Sequence, residues 1–254
     1  MIKIGIIGGS GMDDPNLLDS YEKVDIITPY GHPSSSITQG TINSIPVAIL
    51  ARHGRKHQIT PSNVNNRANI WALKNIGCTH ILATTAVGSL KEEIAPGNLV
   101  LIDQFIDHTK HRESTFHDKH KVIHTSLAEP FCKKLRNTLY QTSQELNLKT
   151  HSKGTVITIE GPRFSTKAES HMFRSWGADI INMSSVPEVI LAREAGLCYA
   201  SIAMSTDYDC WKNTLEPVTF EEVLKVMKEN ADKVKQLLIK TIPKVSHLEC
   251  ECKN

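Results

Sequence analysis

Short apolar runs, each closed by glycines, hydroxyls or charges, alternate with stretches of helical period along most of this chain. That alternation points to an α/β architecture, because strands buried on both faces need helices to cover them. Lys3–Ile7 is the first run and ends in Gly8-Gly9-Ser10-Gly11. Val24–Thr28, Ser36–Ile42, Pro46–Ala51, His80–Val87, Asn98–Ile102, Lys153–Ile159, Asp179–Met183 and Cys198–Met204 read as further strands. Between them Val64–Ile76, Pro130–Leu146, Ala168–Trp176 and Pro187–Ala195 read as helices. The last helix has the clearest signals. Thr219 and Glu222 have the spacing of a capping box, in which each side chain satisfies an orphan amide. Phe220, Val223, Leu224, Met227, Ala231, Val234 and Leu238 follow at helical spacing, and Pro243 reads as the stop. Asp103–Thr125 has no period and is expected to be a functional or interface loop.

At 254 residues the chain is long enough to bury ~70–75% of its unfolded surface in one large unit. We expect one domain over residues 1–245 and a tail, 246–254, with Cys250-x-Cys252. The net charge of +2 comes from 29 basic residues interspersed with 27 acidic ones, so neither a basic block nor a nucleic-acid stripe is present. No apolar run approaches the ~20 residues that span a bilayer, so no membrane is expected. Met1-Ile2-Lys3-Ile4-Gly5 runs directly into the first strand, which suggests no signal peptide and a cytoplasmic location. Cys78, Cys132, Cys198 and Cys210 are scattered among apolar neighbours and read as buried small side chains. The Cys-x-Cys pair reads as a solvated, reduced tail, with a disulfide or a soft-metal site as the alternatives.

Several strand ends carry groups that suit anions. Gly8-Gly9-Ser10-Gly11 offers exposed amides and a hydroxyl, although a simple tight turn would also explain it. It is neither a dinucleotide fingerprint nor a P-loop. Arg52-His53-Gly54-Arg55 gathers two guanidinium groups and an imidazole, suited to an oxyanion such as phosphate or, alone, to a solvated basic turn. Thr84-Thr85-Ala86 adds hydroxyls and amides. In an open sheet such ends converge on one crevice. Glu160-Gly161-Pro162-Arg163-Phe164-Ser165 places a ring and a hydroxyl after a strand, and Asn182-Met183-Ser184-Ser185 follows the next. Phe164 suits stacking on a planar base and Met183 a sugar, with core packing as the plain alternative for both. Glu188 suits an arginine, a hydroxyl or the start of its own helix. His108, His111, His117, His120 and His124 match no ligand spacing, so no metal is expected.

The apolar strand ending at Met204 delivers two carboxylates, Asp207 and Asp209, around Tyr208. A purine with a 6-amino group beside a basic N7 presents one donor and one acceptor. A carboxyl accepts from the amine and, if protonated, donates to N7. An amide would suit a 6-oxo purine better, so a 6-oxopurine enzyme is the nearest rival and Asp207 counts against it.

With these motifs assembled, the chain resembles the nucleoside phosphorylase family, trimeric type, in its methylthioadenosine-cleaving branch. The strings that carry the likeness include Ile6-Ile7-Gly8-Gly9-Ser10-Gly11, Leu50-Ala51-Arg52-His53-Gly54-Arg55, Thr84-Thr85-Ala86-x-Gly88-Ser89-Leu90, Glu160-Gly161-Pro162-Arg163-Phe164 and Ala203-Met204-Ser205-Thr206-Asp207-Tyr208-Asp209. The resemblance implies a mixed central sheet, partly closed as a barrel and flanked by helices. It implies a homotrimer, or a dimer of trimers, and reversible cleavage of 5′-methylthioadenosine by phosphate, giving adenine and 5-methylthioribose 1-phosphate. No cofactor is implied; phosphate is a co-substrate. On this likeness phosphate meets Ser10, Arg52, His53, Thr85, Ala86 and Ser184. Phe164, Ser165, Met183, Asp207, Tyr208 and Asp209 meet the nucleoside, with Asp207 as general acid. Phe220, Val223 and Leu224 surround the methylthio group, and His124 reaches in from a neighbouring subunit. Ser10 and Ser184 stand where many relatives carry Thr, and Phe220 is bulkier than the residue often found there.

Overall fold

The computed structural model describes residues 2–9, 15–118, 121–212, 220–248, 250 and 252, and for residues 15 and 220–225 the backbone alone. In chain order the elements are β1 (Ile4–Gly8), β2 (Tyr21–Val24), β3 (Ile37–Ile42), β4 (Ile45–Ala51), α1 (Asn66–Asn75), β5 (His80–Ser89), β6 (Leu99–Leu101), β7 (Gln104–His108), α2 (Lys133–Glu145), β8 (Thr150–His151), β9 (Thr155–Ile159), α3 (Lys167–Ser175), β10 (Ile180–Asn182), α4 (Ser185–Glu194), β11 (Cys198–Tyr208) and α5 (Phe220–Val245). The expected α/β fold is therefore present.

One mixed sheet runs β2-β3-β4-β1-β5-β10-β9-β7, and a second arm, β11-β6-β8, leaves from the other edge of β5. The pairings branch at β5 and close no ring among the described residues, so the partial barrel expected from resemblance is not seen as a closed ladder. β1 pairs in parallel with Ile81 to Ala83 through its own Gly5 to Ile7. β10 takes over on β5 only at Gly88 and Ser89, antiparallel. Between those contacts one edge of β5 has no partner strand among the described residues, and the functional cavity opens there.

The period-two alternation of β11 builds both hydrophobic layers. Tyr199 and Ala203 face a core shared with Ile70 and Leu73 of α1 and Val189 and Leu191 of α4. Ala200, Ile202 and Met204 face Leu135 and Leu139 of α2 and Val234 and Leu238 of α5. Each fully buried Leu or Ile contributes about 1.5–3 kcal/mol, so the two layers clamp β5 and β11 from opposite sides. The register of β11 on β5 is regular to Ser205, opposite Val87, and then shifts, so that Asp207 rather than Thr206 lies opposite Gly88. This bulge turns Asp207 to the side away from Ser205, although the two are separated by a single residue.

The described residues differ from the sequence expectations at several places. The edge strand is Tyr21–Val24, not Val24–Thr28; it is polar and exposed, and Ile27 of the later stretch is 79% exposed. The stretch 103–125 contains β7, paired in parallel with β9. Pro243 does not end α5, which continues to Val245 because Ile242 and Val245 are both fully buried. A proline so near a helix end forfeits few backbone bonds, and burial outweighs the loss. The tail is not a solvated, reduced appendage: Leu248, Cys250 and Cys252 pack on the α2–α5 layer, and Cys250 is disulfide-bonded to Cys198. Cys210 is exposed, unlike the other three cysteines expected to be buried. The capping box at Thr219 lies outside the described residues; a complete one caps α3, where Thr166 and Glu169 each accept the other's backbone amide. No helix among the described residues is long and apolar enough to cross a membrane.

Candidate active site

The gap beside β5 opens into a cavity of about 350 Å3. Its floor is the C-terminal half of β5. Thr84 turns its carbonyl toward the open edge, where the Arg52 guanidinium donates to it at 2.7 Å. Strand alternation then aims the amide of Ala86 at the same edge, with no neighbouring strand to receive it. The Thr85 hydroxyl lies 2.9 Å from that of Ser184, and Asn182 donates to Thr85 at 3.2 Å. Asn182 is itself fixed by Thr158 and Ser185. Ser184 precedes α4, and its hydroxyl makes no helix-capping bond. Val186 is extended, and the helical backbone resumes at Pro187, whose ring suits a first helical position. Two hydroxyls and an amide thus converge on one wall, the donor set that an oxyanion needs.

Arg52 and Glu188 form the rigid back of the cavity. Both are buried, and the guanidinium donates twice to the carboxylate at 2.8 and 2.9 Å. Glu188 also accepts the Tyr199 hydroxyl at 2.6 Å. Burial disfavours the arginine's charge, but the Glu188 carboxylate more than offsets this and pushes its pKa up. Of the alternatives open for Glu188, the structure realises two at once, an arginine and a hydroxyl. Arg52 lines the cavity with a charge already compensated, so its role is anchored positioning as much as attraction. Arg55 turns away and donates to Ser36 and Thr38. His53 lines the cavity, and burial, followed by the Arg52 charge, lowers its pKa to about 4. Its Nδ1 lies 3.0 Å from the Ile59 carbonyl. A neutral ring that donates there leaves Nε2 as an acceptor, suited to the hydroxyl of a hydrogen phosphate.

The opposite end of the cavity is acidic. Asp207 is mostly buried, and this burial raises its pKa to about 6. The Thr206 hydroxyl opposes the rise by donating at 2.6 Å, and the Asp209 charge adds to it. The bulge supplies that hydroxyl, which also reaches the Val87 carbonyl at 3.2 Å. Gly88 makes room: a Cβ there would stand 3.3 Å from Asp207 Oδ2 and 3.1 Å from Ile181. Asp209 is buried and accepts the Ser165 hydroxyl with both oxygens, at 2.8 and 2.7 Å. Phe164, 60% exposed, stands at the rim, while Met183 lies against Gly161, where a Cβ would come within 2.6 Å of its sulfur.

The structure therefore brings together Arg52, His53, Thr85, Ala86, Phe164, Ser165, Met183, Ser184, Asp207 and Asp209. It does not bring in Tyr208, whose hydroxyl donates to the Glu92 carbonyl and whose ring packs on Trp211 and Lys212; strand alternation turns it away from the acids flanking it. His124 is exposed and outside the cavity of a single chain. Ser10 and the side chains of Phe220, Val223 and Leu224 lie outside the described portion. Sequence reasoning missed Met227, which lines the cavity from α5, and Arg112. Arg112 donates to Glu160 and to the carbonyls of Met183 and Val186, so it holds the loop that presents Ser184. Although burial opposes it, Arg112, the Lys110 amide and the Ser62 hydroxyl hold the Glu160 pKa down at about 2. Nothing in the local pattern of residues 103–125 singles out that arginine.

A crevice at strand ends, a wall of paired hydroxyls and a carboxyl whose pKa burial raises to about 6 suit a class of enzyme that sets a nucleobase against an oxyanion. The chain belongs to the phosphorylase superfamily, whose sequence profile it matches over residues 3–243. It is 56% identical to S-methyl-5′-thioadenosine phosphorylase of Danio rerio, covering 98% of this chain and 90% of that protein. The enzyme of the same name from Xenopus tropicalis is 57% identical, with the same coverage. Methylthioadenosine phosphorylase from Schistosoma mansoni, solved in complex with adenine, superposes with a TM-score of 0.94 at 42% identity, covering 98% of this chain and 93% of that one.

Proposed function

We propose that the protein catalyses the reversible phosphorolysis of S-methyl-5′-thioadenosine, releasing adenine and 5-methylthioribose 1-phosphate. The observation that carries this reading is Asp207, a mostly buried carboxyl with a pKa of about 6 that lines the same cavity as the Thr85 and Ser184 hydroxyls. Relatives named for this activity, more than half identical over nearly the whole chain, support the choice of substrate.

Breaking the N-glycosidic bond builds positive charge on the ribose and negative charge on the leaving base. In this reading Thr85, Ser184 and the Ala86 amide hold phosphate beneath C1′, with Arg52 and His53 behind it. The anion then stabilises the sugar cation and attacks it, so alignment matters more than a strong base. Asp207 donates a proton to N7 as the base leaves, a contribution of ~10²–10⁴ in rate. Asp209, held by Ser165, faces the exocyclic amine, and Phe164 and Met183 cover base and sugar. Phosphate is a co-substrate and no cofactor is needed. The reading also assigns a homotrimer in the cytoplasm. The exposed Val122 and Ile123 beside His124 are consistent with a contact through which a neighbour completes the site.

The direct test is incubation with methylthioadenosine, with and without phosphate. Free adenine should form only with phosphate, in equal amount to the sugar phosphate. Adenine release that ignores phosphate would replace phosphorolysis with hydrolysis, and no release would remove the activity. Sedimentation and cell fractionation test the trimer and the compartment.

A further inference from the structure

Four cysteines from three distant parts of the sequence meet at the opposite end of β11 from Asp207. Cys132 precedes α2, Cys198 begins β11, and Cys250 and Cys252 come from the tail. Their four sulfurs all lie within 4.8 Å of one another. Four ligands about 2.3 Å from a tetrahedral zinc ion stand roughly 3.8 Å apart, a separation inside the cluster's 4.8 Å limit that the bonded pair Cys198 and Cys250 reaches once reduced. The Cα atoms of Cys198 and Cys250 are 7.5 Å apart. A disulfide usually joins Cα atoms ~4.4–6.8 Å apart, so the backbone leaves this pair room to part around an ion once the bond is reduced. Two of the sulfurs also accept backbone amides: Cys132 from Leu135 at 3.5 Å and Cys250 from Cys252 at 3.4 Å. Such N–H···S bonds favour the thiolate and are the support that metal-bound sulfurs need. Arg193 donates to the Cys252 carbonyl at 3.5 Å, and its Nε is buried without a partner among the described residues. A cation at that place compensates the net negative charge of four thiolates around one divalent ion.

We infer that the reduced protein holds one soft divalent cation of the zinc class on Cys132, Cys198, Cys250 and Cys252. In the disulfide form Cys198 and Cys250 share a bond. A dithiol reductant opens it, supplying two electrons and two protons and leaving as its own disulfide. The four thiols then form four metal–sulfur bonds and release four protons. All four ligands are protein groups, so the site is closed to substrate and structural. It fastens the tail to the starts of α2 and β11, away from the cavity.

The probe is cobalt(II), whose tetrahedral thiolate complexes have sulfur-to-metal charge-transfer bands and intense visible bands. Full-length protein is reduced with a dithiol, desalted without oxygen and titrated. The expected result is one cobalt per chain with both band sets, bleached by one equivalent of zinc, and a melting temperature raised by zinc. Cys252→Ser should weaken binding by about tenfold or more while adenine release stays intact, which shows that the variant folds. The inference is overturned if the bands are absent, if they survive Cys250→Ser combined with Cys252→Ser, or if equimolar zinc is refused while two disulfides form.

Discussion

Replacing Asp207 with Asn should slow the enzyme and stabilise it at once. The carboxyl's pKa is lifted from the ordinary 3.8 to about 6, mainly by burial. At ~1.36 kcal/mol per pH unit, that gap corresponds to roughly 3 kcal/mol. The folded protein holds this proton more tightly than the unfolded chain does. The associated stability is therefore full below pH 3.8 and lost as pH rises through about 6. At about pH 8 the native protein holds a buried carboxylate, and Asp207→Asn, which cannot ionise, escapes that cost. The gain has a ceiling of ~3 kcal/mol, because Thr206 loses a charged acceptor. In a chain of this size each kcal/mol moves the melting temperature by ~2–4 °C. The variant should melt several degrees higher at about pH 8, with the advantage shrinking toward about pH 5. Its kcat/KM for methylthioadenosine should fall by ~10²-fold or more, and the decline of kcat/KM above about pH 6 should disappear. Scanning calorimetry at two pH values and adenine release across the range measure both. A melting difference independent of pH would refute the titration argument, and an unchanged kcat/KM would remove Asp207 from the chemistry.

Ser184→Ala should raise the KM for phosphate about tenfold, as the loss of one hydrogen bond to a charged group implies, and leave the nucleoside KM nearly unchanged; the reverse pattern in steady-state kinetics would move the anion elsewhere. Gly88→Ala should cut turnover with little loss of stability, because its Cβ would press on Asp207 and Ile181; turnover equal to the parent would show that the carboxylate gives way freely. Glu188→Ala should cost ~3–5 kcal/mol in urea unfolding, because it leaves Arg52 buried and uncompensated. A loss below about 1 kcal/mol would mean that water reaches the guanidinium.

The strand that delivers Asp207 and Asp209 was legible because an apolar run ending in acids has few other readings. The anion loops were legible because glycines and hydroxyls at strand ends are short-range signals. What stayed hidden is long-range or positional. Arg52 and Glu188 are 136 residues apart, and only the folded chain reveals that they neutralise each other. The bulge at Thr206 leaves no compositional mark, yet it decides which way Asp207 points. β7 escaped because its five residues, Gln104 to His108, mix polar and apolar and are at most half-buried, with Phe105 and Ile106 packing against different core layers. Four cysteines that look scattered in sequence meet because two begin elements and two lie on a tail that folds back.

The edge of β5 left open between Ala83 and Gly88 has a consequence for the folded chain as well as for chemistry. A strand interrupted on one side is an unsewn seam, and an anion seated on the Ala86 amide would be its missing stitch. Exchange of that amide with solvent should slow when phosphate is added, and saturation at a hundredfold excess over Kd would add about 2.7 kcal/mol to the fold. Through this seam, the supply of one reactant helps to keep the whole sheet mended.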